Sequence, residues 1–227
     1  ADLPASLAAF YQRAGRVTTL GGRDGTVTIV TSVSPPGGDV TEPVSAHTQR
    51  FVQAVWSLDR DLAYARHYPA VSWLNSFSRD TDAIAHWQAA HQDPTWATRR
   101  SRLHALLAEA DRLQGIADLV GLSALPAEER LTLLTSRLIR EALLQQSALS
   151  DNDASCAPGK QVALAEAVLT VHDTAMRLSH SGVPASVIEE FDYGPLLRAK
   201  DATGPDDASG VSRIASELAN SMKTMSS

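Results

Sequence analysis

Cysteine is almost missing from this chain: among its 227 residues only Cys156 carries a thiol. One thiol cannot close an internal disulfide, so the sequence does not describe a disulfide-stapled secreted scaffold. Long apolar runs are also missing, and no charged-then-apolar segment opens the chain. A membrane span and a signal segment are therefore not expected, and contact with a membrane would go through a partner. Aromatic residues are scarce, at 5%. There is no block of Lys or Arg, and a net charge of −6 supplies no basic footprint for nucleic acid.

Signatures of self-contained catalysis are missing as well. The cluster Gly21-Gly22-Arg23-Asp24-Gly25 is glycine-rich, but it does not read GxxxxGK[ST], and a β-type run follows it instead of a helix. Lys160 follows Gly159, yet Gln161 stands where a magnesium-binding Ser or Thr is needed. His86 and His91 are spaced wrongly for one helix face, and His172 has no partner at zinc spacing. No nucleophile elbow occurs, and Cys156 has no basic neighbour to lower its pKa. The adjacent pairs Glu128-Glu129 and Glu189-Glu190 diverge on a helix and read as solvated faces. No catalytic residue and no metal ligand is assigned within the chain.

What is present is a hydrophobic content of 44%, enough for a substantial core. Leu3, Leu7, Phe10, Tyr11 and Ala14 recur at helical spacing. Val17-Thr18-Thr19-Leu20 and the run Thr26 to Val33 flank the glycine cluster and predict a β-hairpin. The second run ends in Ser34-Pro35-Pro36-Gly37-Gly38-Asp39, followed by Thr41-Glu42-Pro43-Val44. Two prolines stop strand pairing and two glycines free the backbone. A loop of that kind at the carboxyl end of a strand is where open α/β sheets place ligand contacts. Phe51, Val52, Val55 and Trp56 mark a further helix face, and Tyr68 is held at a structural break by Pro69.

After about Ser78 the texture becomes helical. Leu103, Leu106, Leu107, Ala110, Leu113, Ala117 and Val120 form one long face that ends at Gly121. A second helix starts near Pro126, with Glu128 and Glu129 in its first turn, and runs through Leu131, Leu134, Leu138 and Ala142. A third carries Val162, Ala165, Val168, Leu169, Ala175 and Leu178. A weak last pattern holds Val211, Ile214 and Leu218, after a stretch from Asp201 to Gly210 that reads as a linker. The fold class is mainly α with some β: residues 1–78 as the end of an α/β domain, residues 79–227 as a helical bundle.

The run SPPGGDxTEPV, followed at the right distance by Tyr68-Pro69-Ala70-Val71, resembles the catalytic A subunit of V-type and archaeal-type rotary ATPases. Leu3 to Leu20, Leu58 to Tyr64, Leu119-Val120-Gly121, Ala124-Leu125-Pro126 and Ile139-Arg140-Glu141 with Leu144-Gln145-Gln146 are similar in order and spacing. The likeness extends over about Leu3 to Lys200. It implies that residues 1–78 are the C-terminal remnant of a RecA-like nucleotide-binding domain. It also implies a ring of alternating A and B subunits around a central stalk, with a peripheral stalk. ATP hydrolysis or synthesis would be coupled to proton or sodium movement, and the protein would be cytoplasmic, peripheral on the inner face of the membrane.

By the same resemblance, Tyr68 stacks on the adenine of ATP or ADP, beside Pro69, Gln146, Ala148 and Leu149. Leu149 stands where the family has a second aromatic, so that wall has no ring quadrupole. Ser34 and Asp39 fall near the phosphates. Leu125, Pro126, Glu128 and Glu129 lie in the Gly121 to Arg130 loop, which is similar in position to the lever loop with which F-type catalytic subunits push on the rotor, so the resemblance implies a stalk contact there. In the family the P-loop lysine and threonine, the magnesium-ordering carboxylate and the water-activating glutamate lie upstream of Leu3. The chain opens on Ala1 within a helical pattern, which suits a piece of a longer protein that does not turn over ATP by itself. The alternative is a non-catalytic helical interaction module built on the same scaffold.

Overall fold

The computed structural model describes residues 2–226. They form two compact units, one within residues 2–56 and 76–81, the other within residues 57–75 and 82–226.

In the first unit, helix α1 (Leu3–Tyr11) accepts Pro4 in its first turn, where a missing N–H costs nothing. Strands β1 (Gly15–Thr18) and β2 (Asp24–Val27) pair antiparallel, with Gly15 opposite Val27. The hairpin is thus present, but it is displaced and shorter than the sequence suggests. Thr28 to Val33 are irregular, because a β-type run needs a neighbour to take its hydrogen bonds and none of the described residues supplies one. The proline-glycine loop therefore does not sit at the end of a strand. Helix α2 (Pro43–Phe51) is capped by Glu42, whose carboxylate accepts from the Val44 amide at 2.9 Å and from the Ser45 amide. Beyond Phe51 the helix stops. Val52 is extended, and β3 (Ala54–Val55) pairs with β4 (Phe77–Ser78), so Val55 and Trp56 do not continue a helix face. β-Branched and aromatic side chains fit a strand at least as well as a helix, which makes such short apolar runs ambiguous.

The second unit begins with a closed strip. Leu58 bridges Val71, and the Asp59 amide donates to the Ala70 carbonyl at 2.9 Å. Within it lies the short helix α3 (Arg60–Tyr64), capped by the Asp59 carboxylate. The bundle follows: α4 (Thr81–His91), α5 (Trp96–Val120), α6 (Ala127–Leu138), a π-helical turn over Ile139–Leu144, α7 (Asp151–Ala154), α8 (Pro158–His180), α9 (Ala185–Glu189), α10 (Gly194–Ala202) and α11 (Ala208–Lys223). Its core joins Leu107 of α5, Leu131, Leu134 and Leu138 of α6, Val168 and Val171 of α8, Leu196 of α10 and Val211, Leu218 and Met222 of α11.

The weak last pattern turns out to be a principal packing element, laid along α8. The stretch from Asp201 to Gly210 is not a free linker. Thr203 is buried, and the Asp207 carboxylate caps α11 by accepting from the Gly210 amide at 2.8 Å. A Cβ at Gly210 would lie 2.2 Å from that carboxylate, so only glycine keeps the cap in place. Polar composition suggests exposure, but these polar groups are spent on caps. Leu138→Ala removes a side chain that is 1% exposed and should cost about 2–5 kcal/mol, whereas Leu119→Ala, at 86% exposure, should stay within about 0.5 kcal/mol. Urea denaturation midpoints of the two variants check this.

Candidate functional site

Tyr68 sits at the bend of the strip. Arg66, at φ 58°, turns the chain back so that the His67 amide donates to the Leu62 carbonyl at 2.9 Å. The Tyr68–Pro69 peptide is cis. His67 points inward and meets Trp73 edge-on at 5.9 Å between ring centres, while Arg140 of the π turn lies over the Trp73 ring at 5.9 Å. Trp73 packs against the bundle core. With His67 and Trp73 anchored, the Tyr68 ring is left outside, 54% exposed. One face of a half-exposed ring is what stacking on a planar ligand requires.

The segment after the π turn comes to the same place. The Gln146 amide donates to the Tyr68 carbonyl at 2.7 Å, and the Gln145 side chain reaches the Arg66 carbonyl at 3.4 Å. The adjoining Ser147 amide donates to the buried Asp153 carboxylate at 2.6 Å. Four of the adenine-side candidates, Tyr68, Pro69, Gln146 and Ala148, are exposed along this joined surface, and Leu149 projects into solvent at 97% exposure. Beside them a cavity of about 290 Å³ is lined by Glu141, Gln145, Gln146, Ser147, Leu197, Lys200 and Asp201. Of the five adenine-side candidates it takes in Gln146 alone.

Ser34 and Asp39 belong to the other unit. Gly37 and Gly38 both adopt positive φ, at 65° and 78°, which the paired glycines permit. Asp39 then closes a turn by accepting from the Thr41 amide at 2.9 Å and the Thr41 hydroxyl at 2.6 Å. These two bonds, the hydroxyl's first, hold its carboxyl below the usual range. Ser34 lies in the exposed approach to that turn. The carboxylate is exposed, and its described bonds are the two to Thr41.

The α5–α6 connection places its four candidates unequally. Leu125 is turned inward, 8% exposed. Pro126 is the residue just before α6, Glu129 is half-buried, and the exposed Glu128 accepts from His180 Nε2 at 2.7 Å. The apolar side chains that reach solvent here are Leu119, Val120 and Leu122, just before the predicted loop contacts. Exposure, which periodicity cannot give at a helix end, is what separates the two sets.

The histidines and the cysteine weighed in the sequence as ligands or nucleophiles sit in local structural settings. His86 and His91 each place Nδ1 against the backbone carbonyl four residues earlier, at 2.7 and 2.8 Å. His172 Nδ1 lies 2.8 Å from the Thr135 hydroxyl. Burial pushes the Cys156 thiol up, away from reactivity. Among the described residues no three His, Cys, Asp or Glu side chains converge as metal ligands, and no helix is long and apolar enough to cross a membrane. The feature that sequence reasoning misses is Lys160. It is fully buried and donates to the carbonyls of Asn152, Lys200 and Thr203 at 2.7, 2.7 and 3.0 Å. Its position two residues after a proline at a helix start is the available signal.

Two family descriptions match in succession: the ATP synthase alpha/beta family, nucleotide-binding domain, over residues 1–78, and the C-terminal domain of V and A type ATP synthase over residues 85–187. Among similar proteins, the V-type ATP synthase alpha chain of Nitrosococcus oceani is 50% identical over 88% of this chain and 34% of its own length. The A subunit of the A-type ATP synthase of Pyrococcus horikoshii is 45% identical over 84% of this chain and 20% of its own. A solved ATP synthase subunit, NeqB from Nanoarcheaum equitans, superposes with a TM-score of 0.64 at 22% identity, covering 76% of this chain and 40% of that one, and shares the fold.

The chain belongs to the A subunits of V-type and A-type ATP synthases and matches their C-terminal part. It spans about a third or less of the length of the first two curated relatives, at 34% and 20%.

Burial, with Arg140 and Lys200 nearby, lowers the His67 pKa, and burial lowers that of His172. Both values lie below the 6.5 of an ordinary imidazole, so between the two limits the unfolded chain holds more protons than the folded one. Stability should therefore fall as pH drops from about 7.5 to about 5.5, with the ordinary imidazole value in between. Urea midpoints across that range check the sign, and His172→Asn should flatten the slope.

Proposed function

We propose that this chain supplies the adenine-side wall and the stalk-facing helical arm of the A subunit of a V/A-type rotary ATPase. In this reading residues 1–78 complete the nucleotide-binding domain and residues 79–227 form the arm. Tyr68, Pro69, Gln146, Ala148 and Leu149 border the adenine of ATP or ADP, while Ser34 and Asp39 lie toward the phosphates. Leu125, Pro126, Glu128 and Glu129 form the lever that meets the central stalk, with Leu125 holding its inner side. B subunits flank it in the ring, and a peripheral stalk holds the assembly. The complex lies on the cytoplasmic face of the membrane and couples nucleotide chemistry to movement of protons or sodium.

The observation supporting this reading is the 2.7 Å bond from the Gln146 amide to the Tyr68 carbonyl. Two segments far apart in sequence are fastened main chain to main chain, just where an exposed ring is presented. Magnesium and phosphoryl transfer are assigned to parts of the full-length protein outside this chain. Those reactions need charge placed around the transferring group, and the residues here bind and orient a base instead.

Tyr68→Ala in the full-length protein should weaken MgATP binding about ten-fold, since base–aromatic stacking is worth roughly 1–3 kcal/mol. Its melting temperature should hardly move, because the ring is half exposed. Calorimetric titration and a thermal melt measure both, and unchanged affinity removes Tyr68 from the site. The 227-residue chain alone should release no phosphate from MgATP. Turnover that survives repurification would overturn that assignment.

A further inference from the structure

Gln145, Gln146 and Ser147 are fixed by groups from four directions. The Gln145 amide donates to the Arg140 carbonyl at 2.7 Å, which closes the π turn. The Gln145 carbonyl accepts from the Lys200 ammonium, which also donates to the Glu141 carbonyl at 2.8 Å. The Gln146 and Ser147 amides are committed to Tyr68 and Asp153, as described above. The backbone carbonyl of Lys200 is in turn held by the Lys160 ammonium at 2.7 Å.

A helix end leaves its last carbonyls without partners, and burying them bare is costly. Here each lysine closes such an end from inside the bundle. Lys160 closes α10 through the Lys200 and Thr203 carbonyls and adds the Asn152 carbonyl of α7. Its three donors are thereby used up. Lys200 closes the π turn. Burial pushes its ammonium below the ordinary lysine value, while Asp153, Asp201 and Glu141 oppose that drop.

We infer that Lys200, itself seated by Lys160, is a positioning residue for the adenine-side wall: it fixes the backbone at Gln145, and the neighbouring Gln146 amide then fixes the main chain carrying Tyr68. This role rests on the proposed adenine site. A methionine at 200 would fill the space but leave the Glu141 and Gln145 carbonyls bare, so the segment would loosen without emptying the core.

The test uses the full-length protein, with amide hydrogen exchange and MgATP affinity read on the same samples. Lys200→Met should speed exchange at Gln146 and Ser147 about ten-fold or more, with α8 and α11 still protected, and should weaken MgATP about ten-fold. Lys200→Arg, which keeps a cationic donor, should recover most of both. If Lys200→Met does not fold, Lys200→Gln, which keeps two donors without the charge, reads the same quantities. Unchanged exchange at Gln146 and Ser147 overturns the relay, as does an equal rise throughout α8 and α11. Faster local exchange with unchanged MgATP affinity also overturns it, provided Tyr68→Ala weakens MgATP. If Tyr68→Ala has no effect, the adenine reading fails and the positioning role fails with it. The exchange pattern still tells whether Lys200 holds the segment, so the two failures are separable.

Discussion

Three main-chain carbonyls, from Asn152, Lys200 and Thr203, converge on one ammonium in the interior of the helical unit. Taking a lysine head group out of water is expensive, and it persists only when its donors are filled and the geometry is good. That constraint ties three elements together at once: the start of α8, the end of α10 and the short α7. The apolar contacts of α8 with α11, and of α6 with α8, build on helices whose ends are already set. The same device recurs one step outward at Lys200, where the end of the π turn takes the place of a helix end.

The packing of the bundle leads to the exposed ring without long-range assumptions. Ile139 and Ala142 are fully buried and fix the inner side of the π turn. Its one-residue excess over an α-helix redirects the chain after Leu144, and π turns are frequent where a helix must serve a site. Arg140 projects from the same turn onto Trp73, which seats the strip carrying Tyr68. On the far side, Arg99 is buried between Asp93 and Glu166 and clips the start of α5 to α8. Charged groups in this unit thus act as fasteners between elements, while the apolar residues provide the bulk of the cohesion.

How much of this the sequence discloses depends on what each residue answers to. The faces of α5, α6 and α8 are legible because Leu113, Leu131, Leu138 and Val168 obey one local rule, the helical period. Thr28 to Val33 and Val52 to Trp56 mislead because a strand is made by its neighbour, and no local pattern names the neighbour. Tyr68 and Gln146 can be named as site residues through family likeness. Their direct main-chain bond, joining the strip to the segment after the π turn, has no sequence signal. Lys160 invites only a comparison with a phosphate loop, which it fails, since a lysine in the first turn of a helix normally points to water. The Asp201 to Gly210 stretch misleads for the opposite reason: its polar side chains serve backbone groups and not solvent.

Cohesion is spread unevenly along the chain. Every fully or nearly fully buried apolar side chain among the described residues lies at Leu107 or beyond, whereas Val17, Leu20, Val27 and Val30 are bathed in water. A two-stranded ribbon with so little beneath it is marginal without support from elsewhere. Heating this chain should therefore not produce one sharp transition: the ribbon and the irregular stretch after it would melt first, well before the helices. A protease added in trace amounts would cut between Thr28 and Pro35 and leave the helical unit intact, because there the backbone is both accessible and nearly unpaired.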